Sequence, residues 1–403
     1  MPTTPPAVVG RARTLLPARP AALEVVTALG WQVLAAGLGF WIIGALLGWE
    51  ETITAAAAAL ALLLAAAGFV IGRTSYGVEM DLAKTRVEVG DMAVGSLTVS
   101  NTSDRPLLPA SIELPVGAGT AFFAVPRLGA DDVHEDLFTI PTAVRSVIKV
   151  GPVRSVRADP LRLLSRQVVL TDAVDLYVHP RTVSLAGSAE GLIRDLEGLP
   201  TKDLSSADVS FHALRDYVAG DDRRHIHWKT TARTGKLMVR QFEETRRSHL
   251  AMALSTNLAE YAADEDLELA ISAAASIGKQ AIREQREVSV LTQDGRLRTD
   301  TARVLLDGMT RLAGEESRVT ATDVARLTGD AVPNASIMFL VVGTAVTPAQ
   351  LRTAAASAPP GVRCLAIRCQ AGAPLDRRAI GDLTVLTLGE LTELPRLLVK
   401  AAA

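Results

Sequence analysis

The sequence predicts a multidomain α+β protein with an N-terminal two-helix transmembrane hairpin, a β-sandwich-like middle domain and a C-terminal α/β domain. Three observations support this prediction: two long uncharged stretches near the N-terminus, short alternating runs in the middle, and alternating strand-like and helix-like runs at the end. The 403 residues suffice for two or three domains with buried cores.

The composition excludes several classes of protein. There are 42 basic and 44 acidic residues, so the formal net charge of −2 does not favour a nucleic-acid-coating protein. The hydrophobic fraction of 48% is high for a soluble chain and favours a membrane segment. The two cysteines, Cys364 and Cys369, are too few for a disulfide framework and do not have the spacing of a structural zinc site.

The first element is a membrane hairpin over residues 25–73, after a tail of residues 1–24. Residues 25–49 contain no charge, and a helix of that length spans roughly 37 Å, enough to cross a bilayer. Residues 52–72 form a second uncharged stretch rich in Ala and Leu. Only residues 48–51 remain for the turn, so we expect a tight antiparallel hairpin in contact with lipid.

Charges flanking the hairpin predict its orientation. Basic residues stand outside the two stretches, whereas Glu50 and Glu51 lie in the turn. Basic flanks stay cytoplasmic, so we expect both termini and the soluble domains on the cytoplasmic side of the plasma membrane. The alternative, a signal peptide followed by a buried helix, would need an apolar core of only about 7 to 15 residues. The flanking basic residues are Arg11, Arg13, Arg19 and Arg73.

Residues 74–183 predict antiparallel strands of a β-sandwich-like domain next to the membrane. Alternating runs at 97–99 and 112–114 are separated by polar turn residues at 101–104. His134 and His179 are isolated in this region and are interpreted as surface or core histidines. Residues 184–210 are polar and contain glycine, which is typical of a linker, with a possible short helix at 193–196.

Residues 211–247 carry the densest set of reactive and charged side chains. Three of the six histidines lie here: His212 near the start of the segment, and His225 and His227 beside Trp228, which stands outside the membrane stretches. Gly220 followed by aspartates predicts a turn that caps a helix, and Gly235 predicts the end of that helix.

Three interpretations of this segment remain open. In the favoured interpretation its arginines and acids form a buried or half-buried ion network, with Trp228 as a packing anchor. A helix would point His225 and His227 roughly 200° apart and so disfavour a joint metal site. As a strand, the segment would place both histidines on one face, where they could hold a metal with Asp221 or Asp222. A metal-dependent hydrolase using Asp222, His225 and His227 is the alternative that follows. Binding of single-stranded nucleic acid is a third interpretation, disfavoured by a lone Trp and the balanced acids; it would use Arg223, Arg224, Arg233 and Arg240.

Residues 248–403 predict a Rossmann-like sheet that is mainly parallel and flanked by helices, because strand-like and helix-like runs alternate. Such sheets bind ligands outside the carboxyl ends of their strands, here after Leu254 and Val342. Cys364 and Cys369 lie five apart on one predicted strand and should face opposite sides as buried thiols. The predicted strands are 250–254, 287–291, 336–342, 362–368 and 383–388, and the predicted helices are 266–283, 301–312, 348–356 and 390–401.

The charged segment resembles the signature of the bacterial family known as "domain of unknown function 58". The element order agrees: a membrane hairpin, a β-rich stretch with Asp159-Pro160-Leu161 and Val178-His179-Pro180, the signature, and a von Willebrand factor A-like tail. The resemblance implies a membrane-associated protein without established enzymatic activity, commonly encoded beside AAA+ ATPases of the MoxR class. The matching residues are Tyr217, Gly220, Asp221, Arg223, Ile226, His227, Trp228, Ala232, Arg233, Leu237, Val239, Arg240, Glu243 and Glu244.

The resemblance also implies a possible metal-binding position at the end of the first strand of the von Willebrand factor A-like part, after Leu254. Von Willebrand factor A-like domains usually carry Asp-x-Ser-x-Ser there, and its oxygens hold magnesium. This chain has Ser255, Thr256 and Asn257 instead, and Gly343-Thr344 after the later strand, so neither place supplies a carboxylate. We therefore expect no metal or other cofactor, and favour turn capping over a polar contact surface for these residues.

Together these observations lead us to expect a non-enzymatic, membrane-anchored scaffold. In this interpretation the signature residues and the sheet domain present a docking surface to a cytoplasmic protein, such as a MoxR-class AAA+ ATPase. We expect no catalytic residues and no nucleic-acid partner.

Overall fold

The computed structural model describes residues 25–70, 76–107, 109–185, 209–218, 221–244 and 249–402. The chain divides into two compact units. The first comprises the described residues up to 87 with 91–142 and 148–176, and the second comprises 88–90, 143–147 and the described residues from 177 onward. The architecture is a mixed α/β, multidomain one with two apolar N-terminal helices and several sheets.

The first unit begins with helices α1 (Ala28–Leu47) and α2 (Glu50–Val70), both long and apolar enough to span a membrane. Thr27 caps α1 by accepting from the N–H of Gly30, and Gly48 ends it in a left-handed conformation with φ 70°. The turn is shorter than predicted, because Glu50 and Glu51 start α2, where carboxylates favour the partial positive charge of a helix N-terminus. The flanking residues Arg11, Arg13, Arg19 and Arg73 lie outside the described residues.

Antiparallel strands follow the hairpin. One sheet has the order β1-β3-β6, and a larger one has the order β2-β10-β7-β4-β8-β9, with β5 paired to β4. Buried and more exposed residues alternate along β3, as the period-2 pattern predicts. The bounds are β1 Tyr76–Leu82, β2 Arg86–Glu88, β3 Met92–Asn101, β4 Ala110–Val116, β5 Gly119–Val125, β6 Val133–Pro141, β7 Ser146–Val150, β8 Arg154–Ala158, β9 Ser165–Val169 and β10 Val174–His179.

The second unit contains a two-stranded ribbon, β11 (Val209–Asp216) with β12 (Met238–Glu244), and a seven-stranded sheet of order β15-β14-β13-β16-β17-β19-β18. Five neighbouring strands of this sheet are parallel, and β15 and β18 are antiparallel edges. The strand bounds are β13 His249–Leu254, β14 Glu287–Thr292, β15 Gly295–Arg296, β16 Ile337–Val342, β17 Arg363–Cys369, β18 Asp376–Ile380 and β19 Leu383–Leu388.

Helices cover both faces of this sheet, and alternate residues of each central strand enter two separate cores. Leu250, Met252 and Leu254 pack toward one side, and Ala251 and Ala253 toward the other. Besides α3 (Trp228–Thr234) in the ribbon, the helices are α4 Asp264–Arg283, α5 Ala302–Thr310, α6 Ala321–Ala331, α7 Pro348–Ala355 and α8 Leu394–Ala402. Helices α4, α5 and α8 contribute to the first core, and α6 and α7 to the second.

Most predicted elements of this sheet form within a residue or two of their expected bounds, and β19 matches at both ends. Three elements are absent from the sequence prediction: helix α6, the two-residue edge strand β15 and the edge strand β18. The buried face of α6 consists of Ala, Val, Thr and Gly, so it lacks the large aliphatic side chains that mark the predicted helices. Strand β18 carries charged side chains at a sheet edge, and its sequence lacks a strand pattern.

Candidate functional site

The signature residues form an excursion between the two strands of the β11–β12 ribbon. The ribbon pairs from Val209 with Glu244 to Asp216 with Met238, with a register shift between Phe211 and Ala213. Beyond the strands, the Tyr217 N–H donates to the Leu237 carbonyl at 2.9 Å and keeps the base of the excursion closed. The excursion is therefore held at a fixed point by backbone pairing.

Arg215 and Asp221 close the first loop of the excursion. The Arg215 guanidinium donates from Nη1 to Oδ2 at 2.7 Å and from Nη2 to Oδ1 at 2.6 Å. The N–H of Val218 also donates to the Asp221 carboxylate, at 2.9 Å. The hydrogen bonds from Arg215, and to a smaller extent the one from the Val218 N–H, lower the pKa of Asp221. The same pairing with Asp221 raises the pKa of Arg215. This aspartate thus has the structural role of an ion-pair partner.

The middle of the excursion is held to β12 by a backbone bridge between two buried apolar residues. Asp222 caps a short 3₁₀ helix, Arg223–His225, by accepting from the Arg224 N–H at 2.9 Å. Ile226 then forms a bridge with Val239 of β12, and both side chains are buried. Burial of the Ile226 and Val239 side chains stabilises the position of the excursion against the ribbon.

His227 caps helix α3. Its Nδ1 accepts from the Thr230 N–H at 3.3 Å and lies 2.7 Å from the Thr230 hydroxyl. Gly235 ends the helix with φ 70°, which confirms the predicted stop. The segment is neither the single helix nor the strand that the sequence interpretations considered, because His227 stands at the break between a 3₁₀ turn and an α-helix.

The excursion presents apolar and basic side chains to solvent. Trp228 is 64% exposed, so the expectation that it is a packing anchor is wrong: it occupies the first turn of α3, outside the Ile226–Val239 contact. Val218 and Leu237 are also exposed. We call the exposed side chains of this segment the signature surface: Val218, Trp228, Leu237, Arg223, Arg224, Lys229, Arg233 and Lys236.

The other signature residues lie outside the signature surface or outside the described residues. Tyr217 is half-buried and Ala232 is exposed on α3. Arg240, Glu243 and Glu244 lie on β12, where the backbone pairing is described. Gly220 lies outside the described residues, as do 186–208 of the predicted linker, including its possible helix.

The predicted hydrolase cluster has no metal-site geometry. The Asp222 carboxylate is used as a helix cap, and the Nδ1 of His227 is used by Thr230. Across the ranges that the structure describes, no three or more His, Cys, Asp and Glu side chains are grouped so that they could hold a metal ion. This arrangement does not favour metal-dependent hydrolysis at Asp222, His225 and His227.

The second candidate position, at the carboxyl end of β13, is filled by the protein's own side chains. Ser255, Thr256 and Asn257 are all buried there. Asn257 caps the 3₁₀ helix Leu258–Glu260 by accepting from the Ala259 N–H, and donates to the Ser317 carbonyl at 2.8 Å. Turn capping is thereby confirmed for Asn257, and an exposed polar contact surface is wrong for all three.

Two residues that sequence reasoning missed complete this buried network. The Glu260 carboxylate accepts from the Ser255 hydroxyl at 2.6 Å and from the N–H of Ala321 at the start of α6 at 2.8 Å. The Gln293 side chain accepts from the Thr256 N–H at 2.7 Å and donates to Ser255 at 2.8 Å. Glu260 has a recognisable signal, since it is an acidic residue only six positions after the buried strand. Gln293 comes from the end of β14 and has no such signal.

Three solved structures resemble parts of this chain weakly. A CARDB domain from Pyrococcus furiosus, in complex with di-metal ions, is 13% identical over 27% of this chain and 97% of that one, with a TM-score of 0.20. A β-glucosidase from Listeria innocua in complex with isofagomine is 13% identical over 27% of this chain and 17% of that one, with a TM-score of 0.19. An alkylpurine DNA glycosylase, AlkC, from Pseudomonas fluorescens is 12% identical over 34% of this chain and 43% of that one, with a TM-score of 0.20. Likenesses at these TM-scores carry no argument about this chain.

Comparison with curated proteins gave no match. A family match does exist, and it includes most of the signature, all of β13 and β14, and helices α3 to α6 up to Asp330. Residues 213–330 match the family described as "Protein of unknown function DUF58", which supports DUF58 as the family of this chain.

Proposed function

We propose that this protein is a membrane-anchored, non-enzymatic scaffold whose signature surface docks a cytoplasmic protein partner. The main support for the proposal is that Trp228 is exposed, in a segment that also exposes basic side chains and is held to the ribbon by hydrogen bonds. Trp and Arg are enriched at the positions that dominate binding energy in protein interfaces. The Arg215–Asp221 ion pair and the Ile226–Val239 bridge already hold this segment in one conformation. Less conformational entropy is therefore lost when a partner binds.

The proposed partner has an acidic surface. Five cations, Arg223, Arg224, Lys229, Arg233 and Lys236, are exposed in this segment, and a complementary negative surface would increase the rate of association. The family resemblance suggests a MoxR-class AAA+ ATPase as that partner.

The membrane anchor is the α1–α2 hairpin. Its length and apolar composition support insertion, and most of its large apolar side chains are exposed. In the proposal both termini are cytoplasmic. The β-rich part is interpreted as a sandwich-like spacer, and the seven-stranded sheet as a von Willebrand factor A-like domain.

The buried network at the carboxyl end of β13 supports docking over metal-dependent adhesion. Ser255 and Thr256 occupy the position that usually supplies magnesium ligands, and their hydroxyls are satisfied by Glu260 and Gln293. A ligand there would first have to break these hydrogen bonds.

In-cell cross-linking and co-purification of the full-length protein test the proposal. Wild type is compared with Arg223→Ala plus Trp228→Ala, and captured proteins are identified by mass spectrometry. The matched control is Arg298→Ala plus Leu327→Ala, which removes an exposed arginine and an exposed leucine elsewhere in the second unit. We expect wild type and control to retain one ATPase that the signature variant loses.

Two outcomes contradict parts of the proposal. Capture of the same proteins by all three forms would place the docking surface outside the signature. Recovery of the full-length protein with its captured ATPase in the soluble fraction, without detergent, would remove the tether from the proposal.

A further inference from the structure

The loop between β8 and β9, residues 159–164, is joined by backbone hydrogen bonds to the start of α1. The Thr27 N–H donates to the Leu163 carbonyl at 3.1 Å. At the first residue of β9, the Ser165 N–H donates to the Val25 carbonyl at 2.7 Å. All of these residues belong to the first unit. The loop is therefore fixed to the residues that begin the proposed membrane span.

The length of α1 determines the depth of this loop in a membrane. Helix α1 has 20 residues and is about 30 Å long, which equals the thickness of the hydrocarbon core of a bilayer. When α1 spans the bilayer, its first turn therefore lies at the boundary between hydrocarbon and headgroups. A Cβ at Gly30, in this turn, would lie 2.2 Å from the Leu163 carbonyl oxygen, so the loop backbone touches the helix at that level. Strand β8 also contacts α2, the other helix of the membrane hairpin.

The exposed side chains of the loop suit the headgroup layer. Leu161 is 55% exposed, and Arg162 beside it is also exposed. An apolar side chain gains free energy by leaving water at this boundary, and an arginine can reach phosphates while its stem stays among apolar groups. Asp159, in contrast, is buried, and its carboxylate accepts from the N–H groups of Leu161 at 2.9 Å and Leu164 at 2.7 Å. This aspartate holds the loop in shape.

The two strands add positive charge next to the loop. Their register places Arg157 of β8 directly opposite Arg166 of β9. Like charges opposite one another destabilise a strand pair, and a phosphate that accepts from both guanidiniums offsets this repulsion. Arg154 differs from these two, because it stands opposite Glu113 of β4. Two guanidiniums thus meet on one face of the hairpin, one residue beyond the backbone contact with α1.

We propose that the β8–β9 hairpin is a second membrane contact, which binds the headgroups of anionic phospholipids. Leu161 enters the headgroup layer, and Arg157, Arg162 and Arg166 donate hydrogen bonds to lipid phosphates. Their positive charge favours anionic over zwitterionic lipids. The inference rests on the proposed membrane anchor, because the depth of the loop follows from α1 spanning the bilayer. It does not depend on a protein partner at the signature surface.

Photo-cross-linking of the full-length protein in nanodiscs tests the contact. The photoreactive residue p-benzoylphenylalanine replaces Leu161 in one form and Leu46 in another; Leu46, 79% exposed on α1, reports whether the helix contacts lipid. The nanodiscs contain phosphatidylcholine with a minor share of phosphatidylglycerol, and intact mass identifies each adduct. We expect lipid adducts at both positions. At position 161 the ratio of phosphatidylglycerol to phosphatidylcholine adducts should be at least about fivefold above their ratio in the bilayer.

The two positions separate failure of the contact from failure of the anchor. Adducts at position 46 without adducts at position 161 would overturn the contact and leave the anchor in place. Lipid adducts at neither position would overturn the anchor and the contact with it.

Charge variants of the form labelled at position 161 test the role of the arginines. Arg162→Asn plus Arg166→Gln removes two charges, and asparagine tolerates the left-handed backbone of Arg162, φ 55°. This variant should lower the ratio of phosphatidylglycerol to phosphatidylcholine adducts by about fivefold or more. The matched control, Arg298→Gln plus Arg326→Gln, removes two exposed arginines of the second unit and should keep the original ratio. Adducts without enrichment of phosphatidylglycerol, an unchanged ratio in the first variant, or an equal loss in the control would overturn the proposal.

Discussion

Arg145 and Glu268 form a bidentate ion pair although 123 positions separate them in sequence: Nε donates to Oε2 at 3.0 Å, and Nη2 donates to Oε1 at 2.8 Å. The Arg145 Nη1 also donates to three carbonyls at the end of α5, those of Met309, Thr310 and Leu312, at 2.7–2.9 Å. A buried cation thereby satisfies carbonyls that a helix leaves unpaired at its C-terminus.

Arg145→Ala should lower the free energy of unfolding by about 3 kcal/mol, because it leaves buried carbonyls and a carboxylate without their donor. Glu268→Gln should cost less, about 1 kcal/mol, since the Glu268 side chain is 42% exposed against 5% for Arg145. Urea denaturation of the full-length protein measures both. Arg298→Ala, which breaks an exposed pair with Asp300, is the control and should change stability by less than about 0.5 kcal/mol. Equal effects at Arg145 and Arg298 would contradict this role.

Gly343→Ala should destabilise the seven-stranded sheet by about 2 kcal/mol or more. A Cβ at this position would lie 2.1 Å from the Glu260 carbonyl oxygen and 2.6 Å from Tyr261 Cδ1, so the backbone would have to move. Gly308→Ala in α5 is the matched control, since a Cβ there would lie 3.7 Å from Leu297 Cδ2, an ordinary van der Waals contact. The control should be neutral or stabilise by about 0.5 to 1 kcal/mol. Thermal unfolding distinguishes the two, and a harmless Gly343→Ala would show that the approach to Glu260 is not tight.

Trp228→Ala should change the free energy of unfolding by less than about 0.5 kcal/mol, because this side chain is already in contact with water. Ile226→Ala, two residues earlier, should cost about 2 kcal/mol or more of the local stability that holds the excursion to β12. Hydrogen exchange of the Met238 and His227 amides reports this local stability. Loss of protection in both variants would mean that Trp228 has a packing role.

The free energy of unfolding should decrease in mild acid because His249 becomes protonated more readily in the unfolded state. Burial lowers its pKa below the ordinary 6.5, an effect that the Arg296 charge increases and the Glu287 charge opposes. The unfolded state therefore binds more protons than the folded state, so the free energy of unfolding decreases as pH falls below about 6.5 toward the lowered pKa. Urea midpoints between about pH 8 and about pH 5 should show this slope, and His249→Gln should flatten it. His134→Gln is the control, and an unchanged slope in His249→Gln would contradict the assignment.

The two thiols should be unreactive in the folded protein. Burial raises the pKa of Cys364 to about 12 and that of Cys369 further still, so almost no thiolate exists at neutral pH. A maleimide reagent should label neither cysteine in the native protein and both in urea, as counted by intact mass. Rapid native labelling of Cys364 would indicate that the β17 face opens readily.

The sequence predicted the elements of the second unit well where its patterns are local. The run 383–388 becomes β19 without change, and Cys364 and Cys369 enter opposite cores because strand residues at an odd spacing face opposite sides. The helix stop at Gly235 was likewise predictable, since glycine adopts the left-handed conformation at little cost. It missed α6, because the face that packs against the sheet consists of small side chains rather than Leu, Ile or Phe.

The candidate site depended far more on tertiary structure. Residue types located the signature and the end of β13, and the missing carboxylates at Ser255–Asn257 were visible in the sequence itself. Only the folded chain decided that Trp228 faces solvent, that Glu260 and Gln293 fill the end of β13, and that the loop between β8 and β9 joins the start of α1. The physical reason is that periodicity and capping act over a few residues, whereas burial and hydrogen-bond satisfaction depend on groups that only folding brings together.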